Sequence, residues 1–203
     1  MGRKGAKDTP MDFFEKLLLS KYALSAIAAF IGSAALVLSV WALNHMEACQ
    51  KFLKEMPRNQ SWARWLLLIN VVWSAPLTAN FLHSMEFPGW TRTLVYFLAA
   101  PGVFLLIFFR VNQYMGARMV GWLMILMAKP VLYACLVRDE RSKFVLVVLA
   151  YYWIIAGMWM IAAPHLFRDL IGLYLDQPKL LRKSLQFKGA FGVALIALAL
   201  FVY

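Results

Sequence analysis

The chain has 203 residues, of which 63% are hydrophobic and 15% charged, with a formal net charge of +11. Soluble domains are nearer half apolar and a quarter charged, so this composition excludes an ordinary soluble fold and points to an integral membrane protein. The Lys and Arg residues flank apolar runs, where anionic headgroups attract them, and no arginine-rich tail accompanies them, which excludes nucleic acid as a partner.

Residues 1–21 read as a basic, amphipathic N-terminal segment. Met11–Ser20 separates the basic start from the first apolar run, and no small-residue cleavage site follows. The first span is therefore expected to insert as an uncleaved signal anchor. Ala6 stands where a myristoylation motif needs Ser or Thr.

Six candidate spans follow: Tyr22–Leu43, Trp62–His83, Thr91–Phe109, Ala117–Val137, Phe144–Pro164 and Phe187–Tyr203. At about 1.5 Å per residue they cross about 30 Å of hydrocarbon, the last being short. The predicted fold class is an all-α integral membrane protein, one domain over 1–203, with six transmembrane helices as three helical hairpins. The Lys and Arg residues divide nine to eleven between the two sides, which sets no orientation.

Two connections are short: Ser84–Trp90 with Pro88-Gly89, and Arg110–Gly116. Arg138–Lys143, RDERSK, is a compact charged turn. The long connections, Asn44–Ser61 and His165–Gln186, resemble each other. Each has a His near its start (His45, His165), runs amphipathically, meets a proline (Pro57, Pro178) and turns basic. An interfacial amphipathic helix fits both. The pattern suggests repeat units 22–83, 91–137 and 144–203, the middle one with a shortened connection. Such a repeat either builds a central site on a pseudo-symmetry axis or duplicates a hairpin for packing.

The C-terminal third carries a further pattern. Gly157 precedes Pro164 by seven residues, His165-Leu166-Phe167-Arg168 opens an amphipathic stretch, and Pro178 leads into Arg182, Lys183, Gly189 and Gly192. Phe144–Tyr203 thus resembles the YjeT-like family of small two-span bacterial inner-membrane proteins of unknown function. The resemblance implies only a bacterial inner-membrane setting, and a family without an established activity supplies no catalytic residues.

Every acidic residue lies outside the spans or at their edges. That argues against a proton-coupled carrier, which keeps a carboxylate inside the membrane. His45 and His165 end spans on one side and are candidate haem or metal ligands, although an interfacial ring is also an ordinary membrane anchor. His83 ends a span on the other side. Deep aromatics, Tyr151-Tyr152-Trp153 among them, pack between helices or against a lipid or pigment. Cys49 and Cys135 fall near opposite faces and form no metal motif.

Pro76, Pro101 and Pro130 lie inside spans 2, 3 and 4 and are expected to kink them. Asn70, Asn80, Ser74 and Thr78 lie near Pro76, so adjoining spans would enclose a small polar pocket or simply hydrogen-bond to one another. Small residues at Ser25, Ala29 and Ser33, with Ala28 and Gly32 beside them, and at Ala190 and Ala194, are spaced for close helix contact.

The sharpest feature is Lys129, in MILMAKPVLYACL. A cation at mid-membrane costs about 2.5–3.5 kcal/mol on insertion scales, and no intramembrane carboxylate offsets it. It is bonded to carbonyls, neutral, or placed for an anionic ligand. Lys129, Asn70 and Asn80 form the candidate intramembrane polar site. The favoured reading is a non-catalytic accessory or scaffolding protein without a cofactor, contacting lipids, anionic ones in particular, and a membrane protein partner or a second copy of itself. The alternatives are a small carrier or channel for an anionic solute or lipid using Lys129, and a subunit binding haem or pigment through His45 and His165.

Overall fold

The structure, a computed structural model, describes residues 22–56, 59–85, 88, 90–110, 115–136 and 143–202. Among these, all regular structure is helical. The α-helices are α1 (Ala23–Asn44), α2 (Met46–Glu55), α3 (Gln60–Ser84), α4 (Trp90–Leu94), α5 (Ala100–Arg110), α6 (Met115–Leu136), α7 (Lys143–Ala162), α8 (Pro164–Asp176) and α9 (Pro178–Phe201), with a π-helical turn, Val95–Ala99, joining α4 to α5. Four of them, α1, α6, α7 and α9, are long and apolar enough to cross a membrane, as in an integral membrane protein.

Local chemistry sets the breaks. Pro164 and Pro178 occupy the first turns of α8 and α9, where a missing N–H costs nothing. The residue before a proline is driven out of the α region, and Ala163 (φ −130°, ψ 67°) and Gln177 (φ −122°, ψ 79°) both leave it. His45 adopts a similar conformation (φ −125°, ψ 55°) without a proline and separates α1 from α2. The last helix therefore starts at Pro178, nine residues before the expected Phe187. Its early Lys and Arg residues are good helix formers that continue the turn Pro178 starts.

Pro76 and Pro130 lie within α3 and α6 without ending them. Pro101 follows the π turn, in which the Ala100 N–H donates to the Val95 carbonyl. The wider ladder there absorbs the irregularity next to the proline.

The tightest helix pairs are α1 with α9 and α6 with α7. Only the second joins sequence neighbours, so the expected hairpins of spans 1–2, 3–4 and 5–6 do not describe the packing. Glycine decides the partners. A Cβ on Gly32 would stand 2.7 Å from the Gly192 carbonyl oxygen, and one on Gly192 2.7 Å from that of Gly32. Between α6 and α7, Gly121 and Gly157 do the same at 2.6 and 2.5 Å. Backbones this close rely on dispersion and Cα–H···O contacts, which drive association where lipid removes the hydrophobic incentive.

The seam fixes direction. The Ser25 hydroxyl donates to the Ala199 carbonyl at 2.8 Å, Gly32 meets Gly192, and Ser39 meets Gly189, so α1 and α9 are antiparallel. The buried stripe on α1 runs through Leu24, Ala28, Gly32 and Ser39, so of the expected small residues Ala28 and Gly32 lie at its centre. Ser33 is exposed and bonds back to the Phe30 carbonyl. On α9, Ala190 and Ala194 are exposed, while Gly192, Leu195 and Ala199 are buried.

Two cores share α6. Near its C-terminal end Ala128, Val131, Ala134 and Cys135 pack with Leu24, Leu146 and Leu195. Near its N-terminal end Met115 and Met119 pack with Ala63, Leu66, Leu67 and Val71 of α3. The amphipathic helices α2 and α8 exist as expected and touch each other.

Candidate functional site

The polar residues of α3 take unequal places. Asn70 is fully buried, and its amide donates to the Met119 carbonyl of α6 at 2.8 Å. Among the described residues its Oδ1 has no hydrogen-bond partner, nor does the buried Nε of Arg118, one residue before Met119. The side chain of Asn80 lies outside the described residues. Lys129 is exposed. Ten residues separate Met119 from Lys129, about 15 Å along the helix, so Asn70 and Lys129 do not form one cluster.

Helices α3, α5 and α6 adjoin around one recess. Helix α3, the π turn, α5 and α6 surround an open recess of about 390 Å³. Its character differs from the expected polar pocket. Ser74 and Thr78 line it, but their hydroxyls donate within α3, to the Val71 and Ser74 carbonyls. A hydroxyl spent on its own helix leaves an apolar wall, here Val95, Ala99, Val103, Trp122 and Leu126. None of Pro76, Pro101 and Pro130 lines the recess.

Lys129 belongs to the same face of α6 as this wall. It follows Leu126 by three residues and Trp122 by seven, spacings that stack side chains on one stripe. A helical side chain also leans over the turn N-terminal to its own Cα, here the turn of Leu126. Pro130 has no N–H to give the Leu126 carbonyl, so an acceptor without its ordinary helical donor lies beside the cation. Among the described residues, Lys129 has no salt bridge or hydrogen bond.

His45 and His165 are both exposed, at the starts of α2 and α8. The His45 ring stacks on Trp41 at 5.7 Å, and its Nδ1 lies 3.2 Å from the Trp41 carbonyl oxygen. Stacking on its own helix is the behaviour of an interfacial anchor. Among the described residues no group of three or more His, Cys, Asp or Glu side chains is placed to hold a metal. Of the deep aromatics, Trp153 packs against the first core, whereas Tyr151 and Tyr152 face outward.

Sequence reasoning missed Gly121 and the packing role of Gly157, which together set the α6–α7 contact, and the place of Trp122 and Leu126 in the recess wall. A signal for the first was present. Gly32, Gly121, Gly157 and Gly192 are each followed four residues later by Leu or Ile. In three of the four contacts the partner's isoleucine, Ile196, Ile161 or Ile125, abuts the glycine. Comparison with protein-family models, curated proteins and solved structures finds no match.

Proposed function

We propose that this protein is a six-span, non-catalytic membrane accessory protein that organises anionic lipid and a partner membrane protein at one face. The observation that carries the reading is the contact between α2 and α8. It joins two amphipathic helices into one platform beside the basic start of α9. Lys51 and Lys54 on α2, and Lys179, Arg182 and Lys183 on α9, are all exposed, and α9 contains no carboxylate. Exposed Phe52, Leu166, Leu170 and Leu173 accompany them. Apolar side chains seated among acyl chains, with cations at headgroup level, are how an amphipathic helix holds an anionic surface.

The helix directions support six crossings. Spans one and six are antiparallel, as are four and five, and α3 runs parallel to α6, as alternating spans require. Here α3 and α4–α5 supply the two spans beyond the four most apolar helices. The resemblance of Phe144–Tyr203 to the two-span family supports a bacterial inner-membrane setting. A second reading, a carrier of an anionic solute or lipid, draws on the exposed Lys129.

Reconstitution into phosphatidylcholine nanodiscs with a minority of phosphatidylglycerol, followed by mass spectrometry of retained lipid, tests the platform. Enrichment of phosphatidylglycerol that falls when Lys179, Arg182 and Lys183 are changed to Gln supports it. Retention in proportion to bulk composition removes it.

A further inference from the structure

We propose that the recess between α3, the π turn, α5 and α6 binds a long-chain carboxylate, with the alkyl chain against Trp122 and Leu126 and the headgroup at Lys129. The site is distinct from the α2–α8 platform, which lies at the other end of α6.

Three observations converge. The recess, about 390 Å³, falls within the roughly 300–1,000 Å³ of ligand pockets, and its wall is apolar. A polar solute would find no free hydroxyl there, because Ser74 and Thr78 donate to their own helix. Lys129 stands on the stripe of Trp122 and Leu126, just beyond the residues that line the recess, on a helix whose side chains tilt toward the preceding turn, and it has no anionic partner among the described residues.

The lysine cannot readily escape to water. Seven residues, about 10 Å, separate it from the end of α6 at Leu136. A bound carboxylate neutralises the ammonium where it stands. The Leu126 carbonyl, without a donor from Pro130, is a spare acceptor on the turn before the lysine.

Size favours a single chain over a protein segment. One turn of helix with its side chains, about 10 Å across and 5.4 Å long, occupies roughly 400 Å³ by itself. A carboxylate-bearing helix would therefore lie mostly outside the recess, and a two-chain phospholipid would leave one chain unhoused.

The test uses the full chain in phosphatidylcholine nanodiscs and a photoreactive diazirine palmitate, with adducts mapped by mass spectrometry. Labelling should fall on the α6 segment containing Trp122 and Leu126 and on the π turn. Unlabelled palmitate should compete at least tenfold better than hexadecanol or dioleoyl phosphatidylglycerol. Lys129→Met should lower labelling at least tenfold, and Lys129→Arg should retain it. Ala99→Phe, which fills the recess and leaves the charge in place, should lower it equally, so the proposal stays testable if Lys129→Met fails to fold. Equal competition by hexadecanol or the phospholipid, labelling indifferent to Lys129 and Ala99, or adducts at Lys129 formed only with another membrane protein would overturn it. Failure of the phosphatidylglycerol platform would leave these results unchanged, because it is read through Lys179, Arg182 and Lys183.

Discussion

Gly121 and Gly157 each occupy the space of the other's absent side chain, with a carbonyl oxygen 2.6 and 2.5 Å from where a Cβ would stand. Because the obstacle on each side is backbone, neither helix can accommodate a side chain by changing a rotamer. Valine at Gly121 must force α6 and α7 apart, and overpacking of this kind costs about 1–3 kcal/mol or more. Gly172 of α8 has nothing within 4 Å of its missing Cβ. Alanine there removes the conformational freedom of glycine and is worth about 0.5–1 kcal/mol to the helix. Thermal unfolding in mild detergent should therefore place Gly121→Val below the wild type and Gly172→Ala at or above it. Equal melting of the two variants would mean that the α6–α7 seam is not as close as described.

Asn70 makes the one described side-chain hydrogen bond between α3 and α6, to the Met119 carbonyl. Such bonds between membrane helices average about 0.6 kcal/mol, and the unpartnered Oδ1 offsets part of that gain. Asn70→Leu removes the bond and the orphaned acceptor together and should change stability by under about 1 kcal/mol. Asn70→Asp puts a carboxylate against the Met119 carbonyl and should be far more damaging at neutral pH, with recovery as the pH falls and the acid protonates. Denaturant unfolding of both variants across pH 5–8 checks the order. A neutral Asp variant would show that Arg118, whose Nε is buried and free, turns to pair with it.

The sequence made the helices legible, because long apolar runs bounded by charge have few other readings. The boundaries of α1, α3 and α6 fall within two residues of the expected spans. Pairing was not legible from hydropathy, since a membrane helix is apolar all round and no amphipathic stripe points to its neighbour. Small-residue spacing picked out Ser25, Ala29 and Ser33 with Ala28 and Gly32 beside them, and the closest approach falls at Gly32, because a glycine lets backbones approach where a serine does not. At the site, the adjacency of α3, α5 and α6 was not legible, because none of Pro76, Pro101 and Pro130 lines the recess they share. Nor was the apolar wall, because it depends on Ser74 and Thr78 turning their hydroxyls back onto α3.

Cys49, on α2 outside the spans, has its thiol pushed above its ordinary value of 9.0 by burial, with the nearby Lys188 ammonium pulling it partly back. The neutral thiol is thus favoured in the folded protein. Its contribution to stability is present below the unfolded thiol's pKa and is lost as pH rises through that value toward the folded one. Thiolate is the reactive form, so maleimide labelling of the folded protein should be slow at pH 7 and reach half its plateau rate above pH 9. Lys188→Met removes the compensating charge and should move that midpoint higher still. A midpoint at or below the ordinary thiol value would contradict the burial of Cys49.

The pairing of the first span with the last is the least expected feature of the fold, and one distance makes it testable. A Cβ on Gly189 would lie 3.4 Å from the Ser39 Cβ, close to the roughly 3.5–4.5 Å span of disulfide Cβ pairs. Cys49 and Cys135 are free and would be replaced first, by Ser and Ala, so that only introduced thiols can react. In that background Ser39→Cys with Gly189→Cys should oxidise under mild copper–phenanthroline treatment. The products would be a two-dalton mass loss and a faster band on a non-reducing gel. Ser39→Cys with Gly102→Cys should stay reduced, because a Cβ at Gly102 has no neighbour within 4 Å. Hairpin pairing of spans one and two would place Ser39 against α3 and leave Gly189 out of reach. A reduced Ser39–Gly189 pair in a folded, monodisperse sample would therefore favour the hairpins over the first-to-last seam. Oxidation would instead show that the two ends of the chain close the bundle.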